Sequence, residues 1–174
     1  MTRYYPEGAL LDTSRNQATI RTEAGLTEAA LDGRVVEARA ILCDSHHNLH
    51  VDLPCMEGII PYYEGAIGIL EGTTRDIALI SRVSKPVCFV VQGFEELPDG
   101  RRRAVLSRRE AQEQCRRAYI EQLRPGDVIP ARVTRLESFG AFCDIGCGLP
   151  ALMPIASISI SRISHPADRF VPGM

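Results

Sequence analysis

Two segments of the sequence decide the fold, Gly126-Asp-Val-Ile-Pro-Ala-Arg-Val133 and Phe139-Gly-Ala-Phe-Cys-Asp-Ile-Gly146. Both are short, contain β-branched or aromatic residues, and lie between glycine and polar residues that favour turns, a pattern typical of β-strands. They predict strands over Val128–Glu137 and Ala141–Ile145, and the apolar run that follows predicts a third strand over Ala151–Ile155. The C-terminal part of the chain is therefore predicted to be a small β structure.

An earlier part of the chain repeats this pattern. The two copies share the initial glycine, an Ala-Arg pair, an aspartate, a cysteine and a proline, with small shifts between these positions. The aligned segments are Gly33–Arg39 with Gly126–Arg132, His50–Leu53 with Phe142–Ile145, and Glu57–Pro61 with Pro150–Pro154. Agreement at these positions indicates two copies of one small β fold.

The first copy occupies residues 33–107. Apolar, β-branched runs predict its strands, while the small polar residues of Asp44–Asn48 and the sequence Pro98-Asp99-Gly100 predict turns. The predicted strands are Val35–Leu42, Leu49–Leu53, Ile77–Val83, Pro86–Phe94 and Arg103–Leu106. This region is expected to form a compact β unit.

Residues 1–32 are interpreted as an N-terminal extension. The polar stretch Asp12–Gln17 is loop-like, whereas the spacing of the later apolar residues predicts a short helix from about Thr22 to Asp32, which Gly33 ends. Such a short helix is unstable alone, so we expect it to pack on the β unit that follows.

Residues 108–125 are predicted to form a helix that links the two copies. Ser107 and Glu110 have the spacing of a capping box, and Pro125-Gly126 ends the apolar periodicity. The region from Arg101 to Arg124 contains eight arginines and three glutamates, so it carries +5, and the rest carries −7 because the whole chain carries −2. The arginines of this helix are expected to lie mainly off its apolar face, where they form either a solvated surface or a phosphate-contacting stripe, namely Arg108, Arg109, Arg116 and Arg117.

The composition excludes several classes of protein. The 174 residues are 45% hydrophobic and 24% charged, which predicts a folded core. No apolar run has the length of a membrane span and the N-terminal residues lack a secretory pattern, so we expect a cytoplasmic protein. The six cysteines include no Cys-x-x-Cys pair and are expected to be reduced. A net charge of −2 is not the strongly basic balance of a simple nucleic-acid binder.

The second copy resembles the S-one (S1) RNA-binding domain family. The resemblance rests on the two segments quoted at the start and on Leu152-Met-Pro-Ile-Ala-Ser-Ile-Ser159. The first copy is more divergent, but its segment Arg103-Ala-Val-Leu-Ser-Arg-Arg-Glu110 is similar to the family's final strand. The resemblance implies a mainly β chain with linking helices and tandem OB-fold barrels, each a five-stranded Greek-key barrel. It also implies non-catalytic binding of single-stranded RNA in translation or RNA metabolism.

In this family two aromatic residues stack on nucleobases, and Phe139 and Phe142 match them. Stacking on an exposed aromatic ring contributes about 1–3 kcal/mol per base and tolerates any base. Strict alternation would place the two rings on opposite faces of a strand, which allows a core role, whereas a kink at Gly140 would place both on one surface. Arg132 and Arg135, on the preceding strand, are expected to contact the same RNA.

The matching positions of the first copy differ. His47 and His50 fall where Phe139 and Phe142 fall, and an imidazole ring offers less stacking area, so weaker RNA binding or a structural role is expected there. Asp99 and Arg103 match the family's residues beside the last hairpin, where the arginine reaches phosphate or base. The alternative for Asp99 is an ordinary tight turn.

Two features depart from the family pattern. Many members carry a histidine on the third strand, and the aligned residues here are Pro61 and Pro154, which offer no hydrogen-bond donor. The second copy, residues 126–174, also stops before the family's last two strands. We therefore expect an incomplete second barrel and a fragment of a longer protein.

Alternative functions receive less support from the sequence. A zinc site at Cys43, His46, His47, His50 and Cys55 matches no structural zinc spacing. The sequence contains no Gly-rich phosphate loop, nucleophile elbow or metalloprotease motif, so no enzymatic activity is expected. We expect binding to single-stranded messenger RNA, with the 30S ribosomal subunit as a further partner, and no cofactor, metal, membrane or small-molecule substrate. The alternative is a protein-interaction module that docks to the ribosome or to an RNA-processing complex.

Overall fold

The computed structural model describes residues 3–174. The chain forms two compact units, which we call the first unit (residues 7–114) and the second unit (residues 3–6 with 115–174). The first repeat lies in the first unit and the second repeat lies in the second unit. All six cysteines are free thiols.

Five strands close the first unit into a barrel. The strands are β1 (Val36–Cys43), β2 (Leu49–Asp52), β3 (Glu57–Ile60), β4 (Pro86–Glu96) and β5 (Arg102–Ser107). Their order around the barrel is β1-β2-β3-β5-β4, and every pairing is antiparallel except that between β3 and β5. This is the OB-fold arrangement, so the predicted barrel is confirmed for this repeat.

Two helices precede the barrel. Helix α1 (Ser14–Ile20) begins after Thr13, whose side chain accepts a hydrogen bond from the Asn16 N–H. The loop predicted over Asp12–Gln17 is therefore wrong for most of its length, because the Thr13 cap supplies the acceptor that starts a helix. Helix α2 (Glu23–Asp32) ends at Gly33 with φ 64°, as the sequence predicts.

The core of the first unit lies inside the barrel. Alternate side chains of each strand point inward, and on β4 these are Val87, Phe89 and Val91. Leu26 and Ala29 of α2 are fully buried in the same cluster. The N-terminal helix therefore packs on the barrel, as expected for a helix too short to be stable alone.

The strand predicted over Ile77–Val83 is wrong, because this segment contains the short helix α3 (Ile77–Ile80). Both edges of β4 are already paired, with β1 and β5, so the segment has no strand to join. Its residues form local backbone bonds instead, from Ser81 N–H to Ile77 O at 2.9 Å for example. Leu79 is fully buried against a small cluster of Ala66, Ile69 and Tyr62.

Helix α4 (Arg108–Ala118) follows β5, and its start agrees with the predicted cap. Ser107 Oγ accepts a hydrogen bond from the Glu110 N–H at 2.9 Å. The helix ends earlier than the apolar periodicity predicts, and a 3₁₀ turn at Ile120–Gln122 follows it.

The second unit contains a three-stranded antiparallel sheet in the order β6-β7-β8. These strands are β6 (Arg132–Glu137), β7 (Gly140–Asp144) and β8 (Pro150–Pro154), and 3₁₀ turns follow at Ile155–Ser157 and Pro166–Asp168. Strand β6 begins later than the predicted Val128, because the residues before Arg132 have no strand partner. One face of the sheet buries Val133, Ala141 and Cys143.

The strand pairing supports the repeat that the sequence indicates. In the first strand of each unit the ladder is irregular at the same place, between Ala40 and Leu42 and between Val133 and Arg135. The second and third strands of each unit also pair in the same register, so that equivalent residues lie opposite each other in the two units. The paired positions are Leu49–Ile60, His50–Ile59 and Val51–Gly58 in one unit, and Ala141–Met153, Phe142–Leu152 and Cys143–Ala151 in the other.

The equivalence extends to a strained backbone position. Ser84 N–H donates to Ala40 O at 2.7 Å, and Gly173 N–H donates to Val133 O at 2.7 Å. Both residues have positive φ, 67° at Ser84 and 95° at Gly173. Glycine adopts this conformation without a Cβ penalty, whereas serine does not.

Ser84→Gly is therefore expected to stabilise the first unit by about 0.5–1 kcal/mol, since it removes the Cβ penalty at positive φ. Urea unfolding measures the change. Ser81→Gly is the matched control, because Ser81 has φ −67° and its replacement is expected to destabilise. A loss of stability in Ser84→Gly would contradict the prediction.

A buried polar cluster ties the N-terminal segment to β1. Glu37 Oε2 accepts the backbone N–H groups of Gly8 and Leu10, both at 3.0 Å. The Asn16 side chain bonds to the backbone carbonyl and N–H of Glu37, both at 2.8 Å. Burial raises the pKa of Glu37 to about 7 from its ordinary 4.5, and the neighbouring Glu7 carboxylate adds to the rise.

Because of Glu37, the free energy of unfolding is expected to fall as the pH rises from about 4.5 to about 7. In this window the unfolded chain loses the proton that the folded chain retains, so deprotonation favours unfolding. The stabilisation is complete below about 4.5 and is lost above about 7. Glu37→Gln keeps an acceptor oxygen but does not titrate, so urea unfolding at both ends of the window should show a smaller pH dependence. An equal dependence in both proteins would contradict this assignment.

Candidate nucleic-acid interface

Phe139 lies in the two-residue turn between β6 and β7, and 54% of its surface is exposed. A hydrogen bond of 2.9 Å from Ile155 N–H to Phe139 O connects this turn to the residue that follows β8. The next residue must be glycine, since a Cβ at Gly140 would lie 2.4 Å from the carbonyl oxygen of Met153. Gly140 therefore permits close approach of β8, and no strand kink is needed to orient Phe139.

Phe142 is the outward residue at the centre of β7. Ala141 and Cys143 on either side of it are buried, whereas Phe142 is half-buried. Its ring lies 6.1 Å from the Phe139 ring, and the two planes meet at 87°. The turn thus brings the two rings together despite their odd spacing in the sequence.

Arg135 completes this cluster on the neighbouring strand. Thr134 is an extra residue in the β6–β7 ladder, and this irregularity places Arg135 opposite Phe142. The Arg135 guanidinium carbon lies 4.7 Å from the centroid of the Phe142 ring. It also forms an ion pair with Glu137, in which Arg135 Nε lies 3.1 Å from Glu137 Oε1. The second predicted arginine, Arg132, begins β6 opposite Asp144.

The histidines of the first unit have a different environment. Both ring nitrogens of His50 contact carboxylates, Nδ1 at 2.7 Å from Glu57 Oε1 and Nε2 at 3.0 Å from Asp44 Oδ2. Burial lowers the pKa of His50, but the hydrogen bonds that the ring donates to these two carboxylates, together with their negative charges, outweigh burial and raise the pKa overall. His47 lies in the β1–β2 turn with φ 61°, and its Nδ1 is 3.5 Å from Asp76 Oδ2.

Asp99 and Arg103 each bond to a neighbour within the β4–β5 hairpin. Asp99 lies in the turn, where its Oδ2 accepts from Arg101 Nε at 2.7 Å and its Oδ1 accepts from the Arg101 N–H at 3.0 Å. Both bonds lower the pKa of Asp99, and the bond from the backbone N–H has the larger effect. Arg103 forms an ion pair with Glu95 on the paired strand.

The structure therefore brings together Phe139, Phe142 and Arg135 in the second unit. The site residues predicted in the first unit form ion pairs or hydrogen bonds with oppositely charged side chains of that unit, namely His47, His50, Asp99 and Arg103. Sequence reasoning missed Leu152, which lies opposite Phe142 on β8 and is 47% exposed. The alternation of β8 could have indicated it, because Leu152 lies between two residues that point toward the core side of the sheet.

Within residues 3–174, no three His, Cys, Asp or Glu side chains are grouped so that they could hold a metal ion. Over the same residues, no helix has the length and apolar character needed to cross a membrane.

Comparison with known families identifies the segment that carries this cluster. Residues 122–173 match the family model for the S1 RNA binding domain. The resemblance that the sequence indicates is therefore confirmed for the second repeat. The matched segment contains all three strands of the second unit and the cluster of Phe139, Phe142 and Arg135.

The chain is also similar to bacterial proteins named small ribosomal subunit protein bS1. The similarity to that of Staphylococcus saprophyticus is 40% identity over 78 residues, covering 42% of this chain and 20% of the relative. The protein of Rhodopseudomonas palustris is 32% identical over 111 residues, which cover 60% of this chain and 19% of that relative. The protein of Streptococcus pneumoniae is 31% identical over 117 residues, which cover 63% of this chain and 28% of that relative. The chain thus spans about a fifth to a quarter of the length of these relatives.

Proposed function

We propose, from the S1 domain in residues 122–173, that the chain binds single-stranded RNA without catalysis and that the second unit is its RNA-binding part. The contact surface consists of Phe139, Phe142 and Arg135, with Leu152 beside them and Arg132 on the same strand as Arg135. Arginine and aromatic side chains together provide the charge and the stacking surface that single-stranded nucleic acid requires.

The exposure of Phe139 is the observation that carries this proposal. Phe139 is 54% exposed, although its ring lies 6.1 Å from the ring of Phe142, over which the Arg135 guanidinium lies. A residue retained for the core would be buried, as the neighbouring Ala141 is. Exposed aromatic residues grouped with positive charge are a feature of binding surfaces for unpaired bases.

The names of the relatives favour a place in translation. Since the similar proteins are named as components of the small ribosomal subunit, we propose that messenger RNA is the bound RNA, that the 30S subunit is a further partner, and that the protein is cytoplasmic. Co-sedimentation with purified 30S subunits tests the ribosomal partner.

A second function is proposed for the first unit, namely contact with another protein. In the second unit Arg135 pairs with Phe142 across two strands, and the equivalent pair in the first unit is Leu42 with His50. His50 is held between Asp44 and Glu57, and carboxylates at this position repel RNA phosphates. This face is therefore better suited to a protein partner than to RNA.

Fluorescence anisotropy of a labelled, unstructured RNA oligomer, titrated with the full 174-residue chain, tests the RNA-binding proposal. Saturable binding is expected, and it should weaken as salt rises because phosphate contacts release counterions. Absence of binding at low salt by the folded protein would refute the proposal. Binding to 30S subunits without binding to RNA would favour the protein-contact function.

A further inference from the structure

We propose that the guanidinium of Arg135, and not the ring of Phe142, is the surface on which a nucleobase stacks beside Phe139. Phe142 is then a positioning residue that holds the guanidinium in place. This inference rests on the proposed RNA binding, and it assigns the bound base to a different side chain from the one that the motif suggests.

The position of Arg135 over Phe142 is the first observation. The guanidinium carbon is 4.7 Å from the ring centroid, well inside the range of a cation–π contact. The irregular ladder at Thr134 places the two residues opposite each other. The guanidinium therefore covers one face of the Phe142 ring before any RNA is bound.

A second contact orients the guanidinium. Glu137 Oε1 lies 3.1 Å from Arg135 Nε, so a carboxylate holds the inner end of the planar group. The side chain of Arg135 is nevertheless 65% exposed. Arg135 is thus fixed at one end and on one side, while much of its surface remains available to a ligand.

The other surroundings of Phe142 also restrict its ring. Phe139 meets it at 87°, an edge contact, and Leu152 is its neighbour across the β7–β8 pair. Phe142 is half-buried, whereas Phe139 is 54% exposed. The available stacking surfaces of this cluster are therefore the Phe139 ring and the outer side of the Arg135 guanidinium.

A guanidinium can replace an aromatic ring in this role because it is planar and stacks on bases. It also brings a positive charge close to the phosphates that flank the base. Lysine supplies the charge but no planar surface. Replacement of Arg135 by lysine therefore separates stacking from simple charge attraction.

The test compares Arg135→Lys with wild type and with Arg162→Lys, the matched control at an exposed arginine of the second unit outside the proposed contact surface. The probe is a labelled oligouridine of about 12 nucleotides, within the site sizes of such folds. Anisotropy titrations of the full chain at several salt concentrations give the affinity and its salt dependence, and thermal unfolding checks that each variant folds.

If Arg135 stacks on a base, Arg135→Lys should weaken binding about five-fold or more, as expected for loss of one stacking contact. The slope of affinity against salt should stay unchanged, because the charge is retained. Arg162→Lys should change affinity less than about two-fold, since it retains the charge and Arg162 is not among the proposed contact residues.

Phe142→Leu provides a second readout. If Phe142 acts by positioning Arg135, both substitutions remove the same stacking contact. The double variant Arg135→Lys, Phe142→Leu should then bind RNA no more weakly than the weaker-binding single variant. Additive losses would show that Phe142 contacts a base by itself and would overturn the inference.

The outcomes also separate the inference from the function beneath it. Wild-type binding together with an unaffected Arg135→Lys variant would overturn the stacking role of Arg135 and leave RNA binding intact. Failure of the folded wild-type chain to bind would refute RNA binding itself.

Discussion

Replacing Phe139 and Phe142 together by alanine is expected to reduce RNA affinity by at least about 30-fold, or about 2 kcal/mol. Phe139 loses its own stacking surface, and loss of Phe142 removes the ring beneath Arg135. Both side chains lie outside the core cluster of the second unit, so the fold should persist. Anisotropy with a single-stranded RNA measures the affinity, and thermal unfolding measures the fold.

Tyr63→Ala is the matched control for this experiment. Tyr63 is an aromatic residue of the first unit that is 56% exposed, close to the exposure of Phe139. Its loss should leave RNA affinity unchanged if the second unit is the binding part. Unchanged affinity in the double phenylalanine variant would refute the proposed surface, and a loss in Tyr63→Ala would move RNA binding to the first unit.

Arg108→Met is expected to destabilise the first unit by about 3–5 kcal/mol, because it leaves a buried carboxylate without its main partner. Arg108 binds Glu7 through two parallel bonds, from Nε at 2.6 Å and from Nη2 at 2.8 Å. Both side chains are almost fully buried, at 6% and 2% exposure. Arg82 lies 3.3 Å from the same carboxylate.

The ionisation of Glu7 follows from these contacts. Burial by itself would raise its pKa, but the charge and hydrogen bonds of Arg108, followed by the charge of Arg82, lower the pKa to about 2. Glu7 is therefore charged at neutral pH and depends on Arg108. Its stabilising contribution is complete above its ordinary pKa of 4.5 and is lost as the pH falls toward about 2.

Urea unfolding at neutral pH measures the effect of Arg108→Met. The double variant Glu7→Leu, Arg108→Met should recover part of the lost stability, because no unpaired carboxylate remains buried. Arg101→Met is the control, since the Arg101–Asp99 pair lies at the surface and its loss should have little measurable effect. Equal stability of Arg108→Met and wild type would show that the pair does not stabilise the fold.

Local signals in the sequence predicted many features of the fold. Val87, Phe89 and Val91 alternate toward the core, and Gly33 ends α2. These features depend on side-chain period and backbone conformation, which neighbouring residues set. The comparison of Gly33–Arg39 with Gly126–Arg132 also indicated the repeat, which the shared strand register now supports.

Local signals were insufficient where the outcome depended on distant partners. The β-branched run Ile77–Val83 resembles a strand, but β4 already has a neighbour on each edge, so the run becomes α3 and loop. Glutamate side chains are mostly exposed in folded proteins, yet this fold buries both Glu7 and Glu37. The burial of a charged side chain depends on whether a distant donor meets it, as Arg108 meets Glu7.

The candidate site shows the same division. The sequence by itself determined that Phe139 and Phe142 flank a glycine and an alanine in an S1-like segment, because motif and spacing are local properties. Only the tertiary structure decided that the two rings meet, that Arg135 covers Phe142, and that His50 is instead enclosed by Asp44 and Glu57. The physical reason is that strand pairing, with its extra residue at Thr134, sets which side chains become neighbours across a sheet.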